Sequence, residues 1–262
     1  MLIKTFSHVV LASVKTSAYK SLVAIKIMKV EKQPFTMLAN ELTIMKKIRH
    51  DNVVSAIDAI YVEAVNKVWL VMEYMKGCSL TKIVRNAPLR EPQIRYIARQ
   101  CLNGIDYLHK ENIVHRDIKS NNVLVDVRGR VKITDFGTSY IFNRHDMKAE
   151  IVGSPCWMAP EVVARKPYDF KIDIWSFGIT LVEMLEGDPP YINEETTNII
   201  KLVKGIGKPF FKTYFKLSKE LKSFVDRCLI VDPDKRASAR ELKEHEFLDS
   251  DMEVVTASFV KK

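Results

Sequence analysis

The sequence predicts an α+β fold with two lobes, a small one rich in strands and a larger one that is mainly helical. Before residue 73 the apolar segments are short and rich in β-branched residues, which is typical of strands. After Gly77 the apolar residues recur at three- and four-residue steps, which is typical of amphipathic helices. No repeat, low-complexity tract or Pro/Gly-rich linker separates the two parts. We therefore expect a single domain over residues 1–262, with lobes at 1–72 and 78–262 joined by a hinge at 73–77.

The small lobe is predicted to contain one helix and three strands. Residues 34–48 show helical spacing, and their mainly apolar face contains one carboxylate, Glu41. The strands correspond to the apolar runs at 9–11, 22–28 and 68–72.

A lysine lies in the middle of the second of these strands. Alternation places Ala24, Lys26 and Met28 on one face of the sheet. A charged group on a packed face needs a partner, and Glu41 offers one from the following helix.

The large lobe is predicted to hold two long helices, a hairpin and several shorter helices. The first long helix covers 94–109, and the second, at 172–185, is apolar almost all round, as expected of a helix buried in the lobe. Between them, residues 128–129 form a plausible hairpin turn. Residues 219–248 are interpreted as further helices with a break at Pro233.

The composition is typical of a folded intracellular protein. Four cysteines lie far apart with no CxxC pair, which argues for reduced thiols and against a zinc site or a disulfide framework. The formal net charge is +9, but we interpret the lysines as scattered over solvated faces, with no dense basic run and no interleaved aromatic residues, and expect no nucleic-acid partner. No stretch approaches the ~20 apolar residues that span a bilayer. We expect no membrane insertion and a cytoplasmic location, leaving the nucleus open.

The clearest chemical motif is HRDIKSNN at residues 115–122. It falls between a predicted helix and the hairpin, where a short loop can present side chains from a rigid base. Phosphoryl transfer to a hydroxyl needs a carboxylate on the acceptor side, a cation on the moving group and metal ligands. Asp117, Lys119 and Asn122 supply these three functions in one turn of chain.

A second motif, DFG at residues 135–137, directly follows the hairpin. The Asp135 carboxylate can hold Mg²⁺ there. We expect Gly137 to adopt backbone angles that are closed to other residues.

Taken together, these motifs resemble the signature set of the protein kinase family, in the expected order and at the expected separations. Four segments give a narrower resemblance to the PAK family of the sterile-20-like group: HRDIKS at 115–120, VGSPCWMAPEVV at 152–163, DIWSFG at 173–178 and EGDPPY at 186–191. The resemblance covers nearly the whole chain. It implies the bilobal protein-kinase fold, ATP and Mg²⁺ as ligands, and proteins as substrates of a serine/threonine kinase in a signalling cascade.

Residue by residue, the resemblance implies a catalytic group centred on Asp117. This carboxylate would orient and deprotonate the substrate hydroxyl, and Lys119, a mark of serine/threonine kinases, would steady the γ-phosphate. Ser154 would join these two side chains in holding the substrate loop. Asn122 and Asp135 would hold the two Mg²⁺ ions.

On the nucleotide side, the resemblance implies that Lys26 binds the α- and β-phosphates while paired with Glu41. Met72 would be the gatekeeper residue of the adenine pocket, and the hinge from Glu73 to Met75 would hydrogen-bond adenine. The pocket would also contain Val10, Ala24 and Leu124. In the large lobe, Glu161 would form a buried ion pair with Arg236.

The chain departs from the family at the glycine-rich loop that covers the ATP phosphates. Counting back from Val10, the glycine positions hold Ile3, Thr5 and His8. Side chains there weaken phosphate contact, because glycines let backbone N–H groups approach closely. Three explanations are open: a slow kinase that relies on Lys26, Mg²⁺ and the hinge, a pseudokinase acting as a scaffold or allosteric partner, or a first strand encoded upstream. Because the catalytic and metal-binding residues are all present, we favour an active enzyme.

Glu150 occupies the position at which the family carries its activating phosphothreonine. Our hypothesis is that it pairs with Arg116 and partially orders the activation segment without an upstream kinase, although it brings less charge than the about −1.5 to −2 of a phosphate. The alternative is a solvated loop glutamate. Asn121 in place of an acidic residue indicates a weaker preference for arginine upstream of the target, and Thr138 leans towards threonine targets. We expect no GTPase-binding segment in this chain.

Overall fold

The structure, a computed structural model, describes residues 7–15, 20–32, 34–143 and 149–256. It confirms the α+β fold, because a strand-rich part precedes a mainly helical one. The first part is built on a four-stranded antiparallel sheet of order β1-β2-β4-β3. Its elements are β1 (Ser7–Lys15), β2 (Lys20–Lys29), α1 (Phe35–Lys47), β3 (Ala56–Val62) and β4 (Lys67–Glu73).

Strand β2 is central and carries the predicted lysine. Lys26 and Met28 are buried, as the alternation predicts, and Lys26 pairs with Leu70 of β4. Helix α1 buries Leu38, Ile44 and Met45, so the apolar side of the predicted helix packs inward. The burial of these side chains fixes the face on which Glu41 lies.

The strand β3 is absent from the sequence prediction. It lies at the edge of the sheet beside β4, and its residues from Ile57 to Tyr61 are exposed. Because neither face of this strand is well buried, its sequence shows no clean alternation of apolar and polar residues.

The second part begins after β4 and is mainly helical. Its helices are α2 (Leu80–Asn86), α3 (Glu91–Lys110), α4 (Pro160–Val163), α5 (Lys171–Glu186), α6 (Thr196–Ile206), α7 (Lys219–Cys228) and α8 (Ala239–Lys243). Its short strands are β5 (Gly77–Ser79), β6 (Ile113–Val114), β7 (Val123–Asp126), β8 (Val131–Ile133) and β9 (Tyr140–Ile141).

Both long helices of this part are confirmed. Every residue of α5 from Ile172 to Leu185 is buried, and the helix ends at Gly187, whose φ of 89° is left-handed. Helix α3 is amphipathic, and its start is capped because the backbone N–H of Arg90 donates to Gln93 Oε1 at 3.0 Å.

The predicted hairpin joins β7 and β8 and presents the two chemical motifs. Its turn is closed by Asp126, which accepts hydrogen bonds from the backbone N–H groups of Arg128 and Arg130 at 2.8 and 2.9 Å. Gly129 takes a left-handed φ of 85° in this turn. The segment 115–122 precedes the hairpin and the segment 135–137 follows it, so the two motifs are held side by side.

The connector between α1 and β3 is hydrogen-bonded to the hairpin. The backbone N–H of Val54 donates to the carbonyl of Ile133 at 2.9 Å, and the N–H of Ile133 donates to the carbonyl of Asn52 at 2.9 Å. The Asn52 side chain adds a bond to the carbonyl of Val131 at 2.9 Å. These bonds tie the C-terminal end of α1 to the helical part of the molecule.

The structure contains the expected ion pair between Glu161 and Arg236. The guanidinium donates two parallel hydrogen bonds to the carboxylate, at 2.6 and 3.0 Å, and both residues are buried. Arg236 also donates to the backbone carbonyls of Ile230, Lys171 and Val231. The pair therefore joins α4 to the loop that leads into α8.

Candidate active site

Lys26 lies at the centre of a group of three charges, of which Lys26 and Glu41 are buried and Asp135 is partly exposed. Its Nζ donates to Glu41 Oε1 at 2.6 Å and to Asp135 Oδ1 at 2.8 Å. Burial by itself lowers the pKa of Lys26, but the charges of Glu41 and Asp135 outweigh it and raise that pKa above its usual value. Burial raises the pKa of the Glu41 carboxyl against the attraction of Lys26. Because the two groups lie 2.6 Å apart, we take the pair as ionised.

Asp135 is held in an uncommon backbone conformation. Burial raises the pKa of its carboxyl, but the charge of Lys26 and its hydrogen bond lower that pKa by more. The pKa of Asp135 is therefore below its usual value. Its φ is 67°, in the left-handed region that non-glycine residues seldom adopt. The expectation for Gly137 is wrong, because its φ is not in that region. The backbone of Gly137 instead lies close to the pair of Lys26 and Glu41. A Cβ at this position would be 3.4 Å from both Lys26 Nζ and Glu41 Oε2.

The segment 115–122 brings Asp117, Lys119 and Asn122 together. Asp117 Oδ2 accepts from Lys119 Nζ at 2.8 Å and from Asn122 Nδ2 at 3.1 Å. Lys119 Nζ also donates to Ser154 Oγ at 2.6 Å, so Ser154 joins this group. The other oxygen, Asp117 Oδ1, is buried and has no hydrogen-bond partner within the described part of the chain.

A buried carboxylate oxygen without a donor is costly in a folded protein. Here Asp117 Oδ2 is fixed by the side chains of Lys119 and Asn122, so the carboxylate cannot rotate to satisfy Oδ1 without breaking those two bonds. Oδ1 is therefore an acceptor that no donor in the described part of the chain satisfies.

Asp173 positions the loop that carries Asp117. Its carboxylate accepts the backbone N–H groups of His115 and Arg116, each at 2.8 Å, and lies 2.9 Å from His109 Nε2. Burial raises the pKa of Asp173, but these hydrogen bonds and the nearby histidines lower it below the usual value. In the sequence, Asp173 is recognised only as the first residue of the DIWSFG motif. The available signal was a carboxylate in the first turn of an otherwise apolar helix.

Arg116 and Glu150 are in contact. The guanidinium Nη1 lies 3.3 Å from Glu150 Oε2. The Arg116 side chain is only 9% exposed and also donates to the carbonyl of Thr138 and the hydroxyl of Tyr168, whereas the Glu150 side chain is 56% exposed. The arginine is thus fixed by its surroundings, and the glutamate lies at the solvent edge.

The strand register places part of the expected adenine pocket on one face. Ala24 pairs directly with Met72, so these two side chains share the face of Lys26. Val10 does not: it pairs with Ile25 and lies on the opposite face, whereas Val9 and Leu11 of β1 pair with Lys26 and Ala24. The expectation for Val10 is therefore wrong, because a shift of one residue moves a side chain to the other face.

The remaining residues of the expected pocket and loop have differing environments. Met75 is buried and Leu124 is half-buried, while Glu73 accepts from Lys132 Nζ at 2.8 Å and from the N–H of Ser55 at 2.9 Å. Of the three expected glycine positions, Ile3 and Thr5 lie outside the described residues. His8 lies in β1, opposite Ile27.

The donor set suits Mg²⁺. Asn122 uses its amide nitrogen to bond to Asp117, so its side-chain oxygen is the atom that can face a cation. Asp135 adds a carboxylate, and magnesium in such sites is bound by one or two side chains together with substrate phosphates. No cluster of three or more histidine, cysteine or acidic side chains that could hold a metal is found in the described ranges.

The profile of the protein kinase domain family matches residues 5–248. The chain therefore belongs to the protein kinase family. The chain is 46% identical to serine/threonine-protein kinase Cla4 of Eremothecium gossypii over 88% of this chain and 30% of that protein. It is 45% identical to serine/threonine-protein kinase Ste20 of Saccharomyces cerevisiae over 86% of this chain and 24% of that protein. It is 43% identical to serine/threonine-protein kinase max-2 of Caenorhabditis elegans over 86% of this chain and 35% of that protein.

These similarities confirm the resemblance to the PAK-like, sterile-20-like group. The chain spans about a third or less of the length of these relatives. In the part of the chain that the structure describes, no helix has both the length and the apolar character needed to cross a bilayer.

Proposed function

We propose that this chain is a serine/threonine protein kinase that transfers the γ-phosphoryl group of ATP to hydroxyl groups of other proteins. The observation that carries the proposal is the unpartnered Oδ1 of Asp117, a buried carboxylate oxygen whose neighbour Oδ2 is fixed by Lys119 and Asn122. Such an oxygen accepts the hydrogen bond of a substrate hydroxyl and then its proton.

In the proposed reaction, Asp117 accepts the proton and Lys119 stabilises the negative charge. The hydroxyl oxygen of the substrate attacks the γ-phosphorus, the bond from that phosphorus to the β,γ-bridging oxygen breaks, and ADP leaves. The hydroxyl proton passes to Asp117 Oδ1. Lys119 Nζ, which bonds to both Asp117 and Ser154, carries positive charge beside the transferred group.

On the nucleotide side, Lys26 would bind phosphate oxygens while Glu41 fixes its position. Ala24 and Met72 would contact the adenine ring from the same face of the sheet, with Leu124 below it and the backbone from Glu73 to Met75 as the hinge. We extend the same proposal to the division into lobes at 73–77. Free cysteines at all four positions are in keeping with a cytoplasmic location.

Asn122 and Asp135 would hold Mg²⁺. When bound, the metal would neutralise part of the negative charge of the phosphates. The positive charge of Lys26 beside Asp135 lowers the pKa of that carboxyl and so keeps it in the ionised form that a cation needs.

The pseudokinase alternative rests on the residues in place of the glycine-rich loop, and turnover separates the two functions. We expect the chain to phosphorylate a generic basic protein with Mg·ATP, and the Asp117→Asn variant to lose about 10²–10⁴-fold in kcat, because an amide cannot accept the proton. ATP affinity should change little in that variant. Asp135→Asn should instead weaken the magnesium dependence of nucleotide binding.

The two variants also define the contrary result. If the unaltered chain and Asp135→Asn gave the same background-level signal, the kinase proposal would be wrong and the scaffold function would replace it. Unchanged circular dichroism and thermal unfolding of both variants serve as the control for folding.

A further inference from the structure

The segment from Lys201 to Lys222 has a composition unlike the rest of the chain. It contains seven lysines against one acidic residue, Glu220, and four aromatic residues. The expectation that lysines are scattered without aromatic neighbours is wrong for this segment. It includes most of α6, the start of α7 and the loop between them.

Two of these aromatic side chains are among the most exposed apolar groups of the described chain. Phe210 is 72% exposed and Phe215 is 74% exposed, and their ring centroids lie 6.4 Å apart. Ile206, at the end of α6, is 59% exposed. Phe211 is by contrast buried, so the chain uses one of the two neighbouring phenylalanines for its core and leaves the other in solvent. Exposed apolar side chains grouped in this way, as Phe210 and Phe215 are, mark an interaction site.

A basic cavity that is open to solvent lies beside Phe215. It has a volume of about 390 Å³ and is lined in part by Lys219, Lys222 and Arg227. Lys222 links the cavity to the patch, because its Nζ lies 4.9 Å from the ring centroid of Tyr214 and 5.9 Å from that of Phe215.

The single acidic side chain among the residues that line this cavity does not cancel its positive charge. Asp226 is paired with Lys208, which approaches from the α6 side, and it accepts the hydroxyl hydrogen bond of Tyr214 at 2.7 Å. Arg227 has a carboxylate partner, Glu241, only at 4.0 Å. The cavity therefore presents uncompensated positive charge beside exposed phenylalanine rings.

We propose that this aromatic-lysine surface, formed by Ile206, Phe210, Phe215, Lys219, Lys222 and Arg227, docks an acidic protein segment that also carries apolar side chains. Carboxylates of the partner enter the basic cavity, and its apolar side chains cover the two phenylalanines. This inference goes beyond phosphoryl transfer, and the binding assay below needs no turnover, so the two proposals can fail separately.

The combination of cations and exposed apolar rings favours an acidic polypeptide with apolar side chains as the occupant. Lys219, Lys222 and Arg227 line a cavity that is open to solvent, so carboxylates of a segment lying across the surface can reach them. Lys222 Nζ lies 5.9 Å from the ring centroid of Phe215, so a segment that pairs with this lysine also lies against the exposed rings.

The probe is a fluorescent peptide in which pairs of glutamates alternate with leucine and phenylalanine, and binding to the full chain is followed by anisotropy. We expect saturable binding that weakens with salt. A peptide with lysine in place of glutamate should not bind, and one with alanine in place of the apolar residues should bind about tenfold more weakly. These comparisons use the unaltered chain and do not depend on any variant.

Two pairs of matched variants locate the site. Lys219→Glu/Lys222→Glu and Phe210→Ser/Phe215→Ser should each weaken peptide binding about tenfold. Lys29→Glu/Lys32→Glu makes the same charge change on exposed residues elsewhere, and Phe35→Ser removes one phenylalanine that is 73% exposed at the start of α1. Both should leave binding unchanged.

Other outcomes would overturn the proposal. These are equal binding of the lysine peptide, no effect of either double variant, or binding only to vesicles of phosphatidylcholine with phosphatidylserine. Displacement of the peptide by a polythymidine oligonucleotide of much higher affinity would assign the surface to nucleic acid instead.

Discussion

Two buried lysine- or arginine-to-glutamate pairs hold this molecule in different ways. In the large lobe, Arg236 is fully buried, and its guanidinium is divided between Glu161 and three backbone carbonyls. In the cleft, Lys26 Nζ bonds to Glu41 and to Asp135, whose side chain is 39% exposed. An ammonium group has three donors, so one proton of Lys26 remains for a ligand.

The difference separates a structural ion pair from one that can bind substrate. Arginine with a fixed planar fork suits a contact that never changes, whereas lysine is a point charge on a flexible stem. The same attraction between opposite charges thus stabilises the fold in one place and, in the other, holds the lysine that we propose binds phosphate.

The largest expected effect comes from breaking the structural pair. Arg236→Met leaves the Glu161 carboxylate buried without a partner and should lower the free energy of unfolding by about 3–5 kcal/mol. Urea denaturation followed by tryptophan fluorescence measures this change. The double variant Arg236→Met/Glu161→Leu should recover most of the loss, and a single variant as stable as the unaltered chain would show that the pair contributes nothing.

Breaking the cleft pair should affect activity more than folding. Lys26→Met removes the cation proposed to bind phosphate, and kcat/KM for ATP should fall about 10²–10³-fold. Relative to Lys26→Met, the double variant Lys26→Met/Glu41→Leu should regain stability but not kinase activity. Lys29→Met, on the same strand but exposed, is the matched control. Recovery of activity in the double variant would contradict the functional assignment.

We expect an effect of intermediate size at Asp173, and the pH dependence of stability reveals it. Its pKa is held below the ordinary value of 3.8, so the stability it contributes is fully present above that value and is lost as the pH falls through the lower, folded-state pKa. Asp173→Asn should therefore be less stable at neutral pH and should lose less stability on acidification below about pH 4. Thermal unfolding across this range measures both effects, and parallel curves for the two proteins would contradict them.

The smallest effect is expected at the pair of Arg116 and Glu150, because the Glu150 side chain is largely exposed to solvent. Exposed pairs contribute about 0–1 kcal/mol, which corresponds to at most about fivefold in an equilibrium. Glu150→Ala should lower turnover by no more than this factor and increase proteolysis of the activation segment. The isosteric Glu150→Gln keeps the shape and removes the charge. If neither variant changed activity or proteolysis, the glutamate would be a solvated loop residue.

Much of the fold could be predicted because its signals are local. The apolar helix at 172–185 and the hairpin turn at 128–129 are encoded in spacing and turn residues, and both are found. The partnership of Lys26 and Glu41 followed from one requirement, that a charge on a packed face needs a partner.

What the sequence did not predict depends on relations between distant segments. Strand β3 lies at the edge of the sheet, and without a buried face it has no alternation to recognise. The face of Val10 depends on the pairing register of β1 with β2, which counting along a motif does not determine. The left-handed φ of Asp135, rather than of Gly137, accompanies a contact with Lys26, which is 109 residues distant in sequence.

The three hydrogen bonds between the α1–β3 connector and the β7–β8 hairpin act as a pivot. Because Val54 and Asn52 are tied to β8, the C-terminal end of α1 is anchored to the helical part of the molecule. Glu41 lies at the middle of α1, and its bond to Lys26 joins this anchored helix to the sheet. A rotation of the sheet against β8 would therefore have to stretch or break the bond between Lys26 and Glu41.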